Sequence, residues 1–301
     1  MRLFKSRPRL SVIVNFYNMR REAERTLYSL STAYQQNIQA DEYEVLAIDN
    51  GSTQPLDAEW VKSFGQNFQY HHLKTGSVSP CKALNQAARL AKGEFITCCI
   101  DGARILSPNI LSLSLQATRL APHPFIYTMG MHLGSKPQNL SVTEGYNQAV
   151  EDQLLASIDW QRNGYQLFTI SSTALSSGNG FFSPFAESNC FCLKRSDYLQ
   201  LGGFDEAFTS KGGGLVNLDF FNRIHEDLGF YPVLLLGEAT FHQFHGGVAT
   251  NVSFEEHPWE SMLKEYQGIR NKDFVTHYKP PNYFGKLTNE AKAFIHPTDH
   301  L

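Results

Sequence analysis

The chain has 301 residues, 42% of them hydrophobic and 18% charged, and its 29 acidic and 26 basic side chains give a net charge of −3. This is the composition of an ordinary globular protein with one large or two modest domains, and it argues against bulk binding of nucleic acid. No apolar run is long enough for a membrane span, and no signal-peptide core precedes Leu10. The basic stretch at residues 2–9 leaves room for a peripheral membrane contact.

The cysteines indicate a reducing compartment. They number five, and Cys98 and Cys99 are neighbours in a predicted strand, so their side chains should point to opposite faces and not pair. We therefore predict a reduced, cytoplasmic protein. In that compartment the N-x-S/T sequences at Asn139 and Asn251 carry no glycan.

The first hundred residues alternate between strand and helix patterns. Short apolar runs at 10–14, 43–48 and 68–73 predict buried strands. After the first run, Asn18 is a good N-cap for a helix with one apolar face. Ser79, as the N-cap before Pro80, predicts a second helix. Such β-α-β alternation predicts an α/β protein with a parallel sheet.

Residues 95–100 predict a further strand, buried on both faces and followed by Asp101 and Gly102. Asn15, Asp49 and Asp101 would then stand at the carboxyl ends of three strands, where open α/β sheets bind their ligands. For each aspartate the alternative is a side chain that only caps its turn.

The second half is less regular. The elements expected there are helices at 109–121 and 144–161, strands at 125–131, 190–193 and 231–236, and a helical face of Trp259, Met262 and Tyr266 used for packing. Residues 165–180 are expected to form a long polar loop, which we assign to acceptor recognition.

Four blocks resemble family 2 glycosyltransferases of the GT-A fold. They are S-V-I-V-N-F-Y-N from Ser11, Y-E-V-L-A-I-D-N-G-S-T from Tyr43, A-L-N-Q-A-A-R-L-A-K-G-E-F-I from Ala83, and L-K-R-S-D-Y-L-Q-L-G-G-F-D-E-A-F from Leu193. The resemblance covers roughly residues 10–250. It implies a mostly parallel central sheet flanked by helices, a transferase domain at 8–250, and a helical or irregular extension at 251–301 packed on it.

The resemblance also implies the reaction. A sugar would pass, with inversion, from a nucleotide-diphosphate donor, most readily a UDP-sugar, to a hydroxyl of a glycan or lipid-linked acceptor in polysaccharide assembly. An alternative is a catalytically impaired protein of this fold that binds sugar nucleotides or acts as a scaffold. A sugar-nucleotidyltransferase is less favoured, since its Gly-rich loop after the first strand is missing from residues 15–18.

Several residues are expected to bind the nucleotide. By analogy with the family, Tyr17, Asn18 and Asp49 line the base and ribose pocket, with Asp49 accepting the imide N–H of uracil. Asn15 and Asn50 stand at the same strand ends and join this set. The competing interpretation is that Asp49 and Asn50 merely form an Asx turn before Gly51.

The sequence departs from the family where the donor diphosphate binds. The family's D-x-D reads Asp101-Gly102-Ala103 here, and Arg104 follows. We expect a divalent cation, Mn²⁺ or Mg²⁺, held by Asp101 and His245, and prefer His245 to His242 because glycines adjoin it. Alternatively, Arg104 and Lys82 neutralise the phosphates directly.

A second departure concerns the catalytic base. In the family block G-x-E-D-x-D-L-x-x-R the first Asp is usually the base, but Val216 and Asn217 replace the E-D pair here. An amide cannot take a proton from a sugar hydroxyl. Asp219, which matches the later Asp, and Glu187 are therefore the two candidates, and the choice between them stays open.

Overall fold

The computed structural model describes residues 7–74 and 76–295. The first half contains β1 (Leu10–Phe16), α1 (Arg20–Ser29), β2 (Tyr43–Asp49), α2 (Ala58–Lys62), β3 (Phe68–His72), α3 (Cys81–Leu90), β4 (Phe95–Cys99) and β5 (Arg104–Leu106). The second half contains α4 (Ile110–Ala117), β6 (Pro124–Leu133), α5 (Gln138–Ser141), α6 (Gln148–Ala156), β7 (Ser171–Thr173), β8 (Cys190–Lys194), α7 (Arg195–Gln200), α8 (Val216–Glu226), β9 (Tyr231–His242), α9 (Trp259–Arg270) and β10 (Asn282–Gly285).

These strands form one large sheet in the order β10-β9-β6-β8-β4-β1-β2-β3, with β5 paired to β9 and β7 to β6. The strands β4, β1, β2 and β3 run parallel to one another, and so do β6, β9 and β10. Between these two groups β8 is antiparallel to both of its neighbours. The predicted α/β fold with a central sheet and flanking helices is confirmed.

The apolar strands are explained by burial on both faces of the sheet. One core cluster contains Ile13 and Cys98 and packs under α3 and α8, while the other contains Val12, Val14 and Cys99 and packs under α1 and α4. The predicted opposite orientation of Cys98 and Cys99 is thus confirmed. All five cysteines are free and buried.

The helix boundaries near the site differ from the sequence prediction. Asn18 does not cap α1, because it takes a left-handed φ of 53° and the helix begins only after Met19. Its side-chain oxygen instead accepts hydrogen bonds from Thr53, at 2.9 Å from the backbone N and 3.0 Å from the hydroxyl. Ser79 likewise gives no capping bond to α3, which follows Pro80.

Residues 165–180 are not the predicted loop. They contain 3₁₀ turns at Gly164–Ile170 and Leu175–Ser177, with β7 between them. Tyr165 docks the first turn, since its hydroxyl donates to the buried Glu238 at 2.7 Å. Ser107 also donates to that carboxyl, at 2.5 Å, and burial raises the pKa of Glu238 to about 7.

The C-terminal part packs on the sheet. In α9 the side chains of Met262 and Tyr266 are buried, whereas Trp259, expected on the same face, is 41% exposed. The strand β10 pairs with β9 and so extends the sheet itself. Across residues 7–74 and 76–295, none of the helices combines the length and apolar character needed to cross a bilayer.

Candidate active site

The carboxyl ends of β1 and β2 and the segment before α3 meet at one edge of the sheet. The backbone N–H of Asn18 donates to the Ser52 hydroxyl at 2.8 Å, which joins the turns after β1 and β2. Asn50 donates from its amide to the carbonyl oxygens of Ser77 and Ser79, at 3.1 and 3.2 Å. Lys82 lies exposed in the first turn of α3. Three residues predicted to bind the nucleotide, from separate stretches of the sequence, therefore lie on segments that meet at this edge.

At this edge, Asp49 accepts hydrogen bonds from other groups of the protein. It is buried, with Oδ1 accepting from the Ser52 N–H at 2.7 Å and Oδ2 accepting from the Tyr70 hydroxyl at 2.9 Å. Burial together with this carboxylate raises the pKa of Tyr70. The turn-forming interpretation of Asp49 therefore describes its geometry, and any bond to a nucleotide must use its remaining lone pairs.

Asn15 and Tyr17 lie at the end of β1, at the same edge of the sheet. Asn15 is 6% exposed, and its Oδ1 finds no hydrogen-bond partner among the residues that the structure describes. Tyr17 is 40% exposed at the same strand end. A buried polar atom without a partner is unfavourable, and a ligand is one way to satisfy it.

Asp101 follows β4 and is fixed by its own turn. Its Oδ1 accepts from the Ala103 N–H at 3.0 Å and its Oδ2 from Arg104 Nε at 2.8 Å. Burial would raise the pKa of this carboxyl, but Arg104 and His245 together hold it below its usual value. Asp101 is therefore a carboxylate anion that lies beside the Arg104 guanidinium group and the His245 imidazole.

The residue types after Asp101 follow from packing. A Cβ at Gly102 would lie 2.1 Å from the ring of Phe16, so only glycine fits against β1. Ala103 is fully buried in the core cluster that contains Phe16 and Leu106. The position at which the family carries its second carboxylate thus points into the core.

Two histidines complete a cluster with Asp101. Arg104 of β5 pairs with His242 of β9, which brings the end of β9 to this turn. The Nε2 atoms of His242 and His245 lie 3.2 Å apart, and the potential ligand atoms of Asp101, His242 and His245 all lie within 4.8 Å of one another. Burial lowers the pKa of both imidazoles, and Arg104 adds to this effect. At His245 the carboxylates of Asp101 and Glu22 oppose the lowering of the pKa without reversing it, so the neutral form of both imidazoles is favoured near pH 7.

This donor set suits a divalent transition metal. Two nitrogen ligands ~2.1 Å from one ion and ~90–109° apart lie ~3.0–3.4 Å from each other, which matches the spacing of the two imidazoles. The structure brings His242 as well as the predicted His245 to Asp101. Arg104 is 3% exposed, and its Nη1 has no partner among the described residues.

Glu187 lies beside the same turn. The Ile100 N–H donates to the Asn189 carbonyl at 3.2 Å, which holds the segment 187–189 next to Asp101. Asn217 donates from Nδ2 to Glu187 Oε2 at 2.5 Å. The half-buried carboxylate of Glu187 therefore touches the residue that stands where the family usually has its base.

Asp219 occupies a different environment. It is 2% exposed, and Arg270 binds both of its oxygens, at 2.6 and 2.7 Å. Arg223 adds a third bond to Oδ2 at 3.0 Å. Since Arg223 and Arg270 occupy both carboxylate oxygens, an acceptor hydroxyl would have to displace a guanidinium group, and of the two open candidates for the base this geometry disfavours Asp219. Its contacts tie α8 to α9.

Residues 11–271 match the model of the glycosyltransferase-like family 2. The chain belongs to this family. Validoxylamine A glucosyltransferase of Streptomyces hygroscopicus subsp. jinggangensis (strain 5008) is 26% identical over 226 residues, which cover 72% of this chain and 51% of that protein. The chain thus spans about half the length of the curated relatives it matches.

Solved structures agree on the fold. S. aureus TarS 1–349 in complex with UDP gives a TM-score of 0.51 at 16% identity, over 89% of this chain and 67% of that chain. S. aureus TarS gives 0.52 at 15% identity, over 89% and 41%. The predicted GT-A fold and the glycosyltransferase family are confirmed, and GT-A glycosyltransferases commonly use divalent cations.

Proposed function

We propose that this chain transfers a glycosyl group, with inversion, from a nucleoside diphosphate sugar to a hydroxyl acceptor, and that it needs a divalent cation. The observation that carries the proposal is the cluster of Asp101, His242 and His245, whose ligand atoms lie within 4.8 Å of one another at the end of β4. At that end the resemblance places the donor diphosphate. Two nitrogen donors favour Mn²⁺ over Mg²⁺, which prefers oxygen ligands.

The nucleotide would lie along the edge formed by the turns after β1 and β2. Asn15 brings to this edge a buried oxygen that has no partner within residues 7–74 and 76–295, Tyr17 brings an exposed ring, and Lys82 brings a cation. Asn18 and Asn50 shape the edge by holding the neighbouring turns. Of the bases, we propose uracil, and TarS, which shares the fold, was solved with UDP.

Glu187 is the proposed base. As the acceptor hydroxyl attacks the anomeric carbon, its proton passes to the carboxylate, and the bond from that carbon to the diphosphate oxygen breaks. Asn217 donates to Oε2, and none of the residues that the structure describes donates to Oε1, so Oε1 can accept from the incoming hydroxyl. A bound cation would stabilise the charge that grows on the leaving diphosphate, and Arg104 lies within the same turn to assist.

The acceptor and the setting are proposed more coarsely. We propose a glycan or lipid-linked acceptor, by the resemblance to the family. We also propose a cytoplasmic location, because the five buried cysteines are all free. Residues 8–250 are proposed as the transferase domain and 251–301 as its extension. The reaction of the whole protein, including any part beyond this chain, belongs to the same proposal.

The test combines binding with turnover. UDP, GDP and dTDP are each added with and without Mn²⁺, and the melting temperature is measured. Ligand at a hundredfold its dissociation constant stabilises the protein by about 2.7 kcal/mol. A panel of nucleotide sugars is then assayed for slow donor hydrolysis, with Asp101→Ala as the control. Absence of any thermal shift and of any hydrolysis would refute the proposal.

A second candidate is a binding protein that has lost turnover. Two observations favour it: Ala103 is buried where the family has a carboxylate, and Asn217 replaces the usual base. Such a protein would show the thermal shift without donor hydrolysis.

A further inference from the structure

Two amide side chains surround the histidine pair. Gln138 is fully buried at the start of α5, and its amide lies against both the ring and the backbone of His242. Asn251 follows the two glycines after His245 and contacts Gln138.

The hydrogen bonds fix which way each amide points. Asn251 Oδ1 lies 2.9–3.0 Å from three successive backbone N–H groups, those of residues 245–247, so this atom must be the oxygen. Asn251 Nδ2 therefore donates to Gln138 Oε1, at 2.8 Å. The second hydrogen bond of the Gln138 amide is consistent with this orientation, because its Nε2 donates to the His242 carbonyl oxygen at 3.1 Å.

The orientation of Gln138 determines the tautomer of His242. Its Oε1 lies 2.7 Å from His242 Nδ1, and an oxygen can only accept, so Nδ1 carries the proton. In a neutral imidazole the other nitrogen then has a free lone pair. That nitrogen is Nε2, the atom 3.2 Å from His245 Nε2. The lone pair of His242 is thereby directed at the cluster with Asp101.

Asn251 also sets the backbone of the second histidine. By accepting from three consecutive N–H groups, it holds residues 245–247 in one conformation, with Gly246 at a φ of 79°. One side chain therefore reaches both imidazoles, His245 through its backbone and His242 through Gln138. Partners of this kind around metal ligands orient the rings, and their loss typically weakens metal binding by about 10- to 100-fold.

We propose that Gln138 and Asn251 are positioning residues that prepare His242 and His245 to bind a divalent metal ion. Gln138 holds the Nδ1–H tautomer of His242, and Asn251 fixes the direction of the Gln138 amide. This inference rests on the proposed cation dependence of the transferase. It concerns the metal-free protein as well, because the hydrogen bonds exist without the ion.

Asn251→Asp tests it with almost no change of shape. The substituted side chain keeps one oxygen for the three N–H groups but turns a second oxygen, in place of the amide nitrogen, toward Gln138 Oε1. Repulsion between the two oxygens should turn the Gln138 amide over and move the His242 proton to Nε2. We expect Mn²⁺ binding, titrated by electron paramagnetic resonance with and without UDP, to weaken by about 10- to 100-fold.

Asn139→Asp is the matched control. Asn139 is the next residue of α5, and its Nδ2 donates to the carbonyl oxygens of Ala249 and Val252 in the same loop, at 2.8 and 2.9 Å. The same chemical change there loosens the loop without touching either imidazole. We expect it to lower the melting temperature while leaving the Mn²⁺ dissociation constant within about threefold of wild type.

Long-range ¹H–¹⁵N spectra of metal-free wild type supply a measurement that needs no variant. They should show His242 protonated at Nδ1. Protonation at Nε2 in wild type, or an Asn251→Asp protein that binds Mn²⁺ as tightly as wild type, would overturn the inference. Neither result depends on turnover, so failure of the nucleotide-sugar assay alone would count against the proposed function and not against the tautomer.

Discussion

The contrast between Asp219 and Glu187 gives the sharpest prediction. Asp219→Asn would leave the Arg223 and Arg270 guanidinium groups facing a neutral amide. Breaking a buried ion pair from one side destabilises a protein by about 3–5 kcal/mol. The two arginine side chains remain 24% and 21% exposed and so keep some hydration, and Arg270 keeps its bond to Asp205.

We therefore expect a loss of about 2–3 kcal/mol, below the fully buried range. For a chain of 301 residues that unfolds as one unit this corresponds to a fall of about 3–5 °C in melting temperature. The folded fraction of Asp219→Asn should keep its turnover. Glu187→Gln is the counterpart, for which we expect turnover to fall by about 10²- to 10⁴-fold at an unchanged melting temperature.

Both variants are examined by calorimetry and by donor turnover at a temperature well below either transition. An Asp219→Asn protein with wild-type stability and no turnover would refute the reasoning, because it would make the carboxylate a catalytic group in spite of its arginines. Full activity in Glu187→Gln would remove Glu187 as the base.

Three further predictions address the metal, Arg104 and the buried Glu238. Asp101→Ala and His242→Ala should each reduce Mn²⁺-dependent turnover by about 10²- to 10³-fold, measured over a Mn²⁺ titration. Arg104→Ala should leave turnover dependent on Mn²⁺, whereas full wild-type activity in EDTA together with its loss in this variant would show that the arginine replaces the cation. Glu238 has a pKa raised to about 7 from 4.5, so its neutral form favours folding; this contribution is complete below pH 4.5 and is lost as the pH rises through 7. In denaturant unfolding, the stability of Glu238→Gln relative to wild type should therefore be greater at pH 8 than at pH 5, and a constant difference would contradict this.

Much of the fold follows from sequence because local and global signals agree. The apolar runs are buried on both faces, as their composition requires, and the polar residues that end them meet at one edge. The alternation that separates Cys98 from Cys99 is a property of any strand. Such features need no knowledge of distant contacts.

The misplaced elements depend on contacts between distant residues. Asn18 looks like a helix cap, but Thr53 of the following β-α turn takes its side-chain oxygen. Residues 165–180 look like a loop because the buried partner of Tyr165, Glu238, lies far along the chain. The propensities of neighbouring residues contain no information about hydrogen-bond partners that are distant in the sequence.

The sequence pattern favoured His245 over His242 as a metal ligand, because the position of His242 depends on where β9 ends. The apolar run of β9 ends at Leu236, and Gly237, with a φ of 75°, interrupts it, so the strand pattern stops there. In the structure the strand continues to His242, which is how that residue reaches Arg104 and the cluster. The spacing His242-x-x-His245 was visible in the sequence, but the strand that carries its first member was not.

The turn after β4 also limits what engineering or evolution can do with this chain. Because Ala103 faces the apolar cluster, Ala103→Asp would bury a carboxylate among hydrocarbon side chains instead of rebuilding the family's D-x-D pair. Gly102, pressed against Phe16, leaves the turn no freedom to rotate that carboxylate outward. A return to the D-x-D motif would need coordinated changes in β1, in this turn and in the segment that carries His242 and His245. Exchange of the proposed metal-site motif between this chain and its relatives should accordingly fail one residue at a time and succeed only as a block.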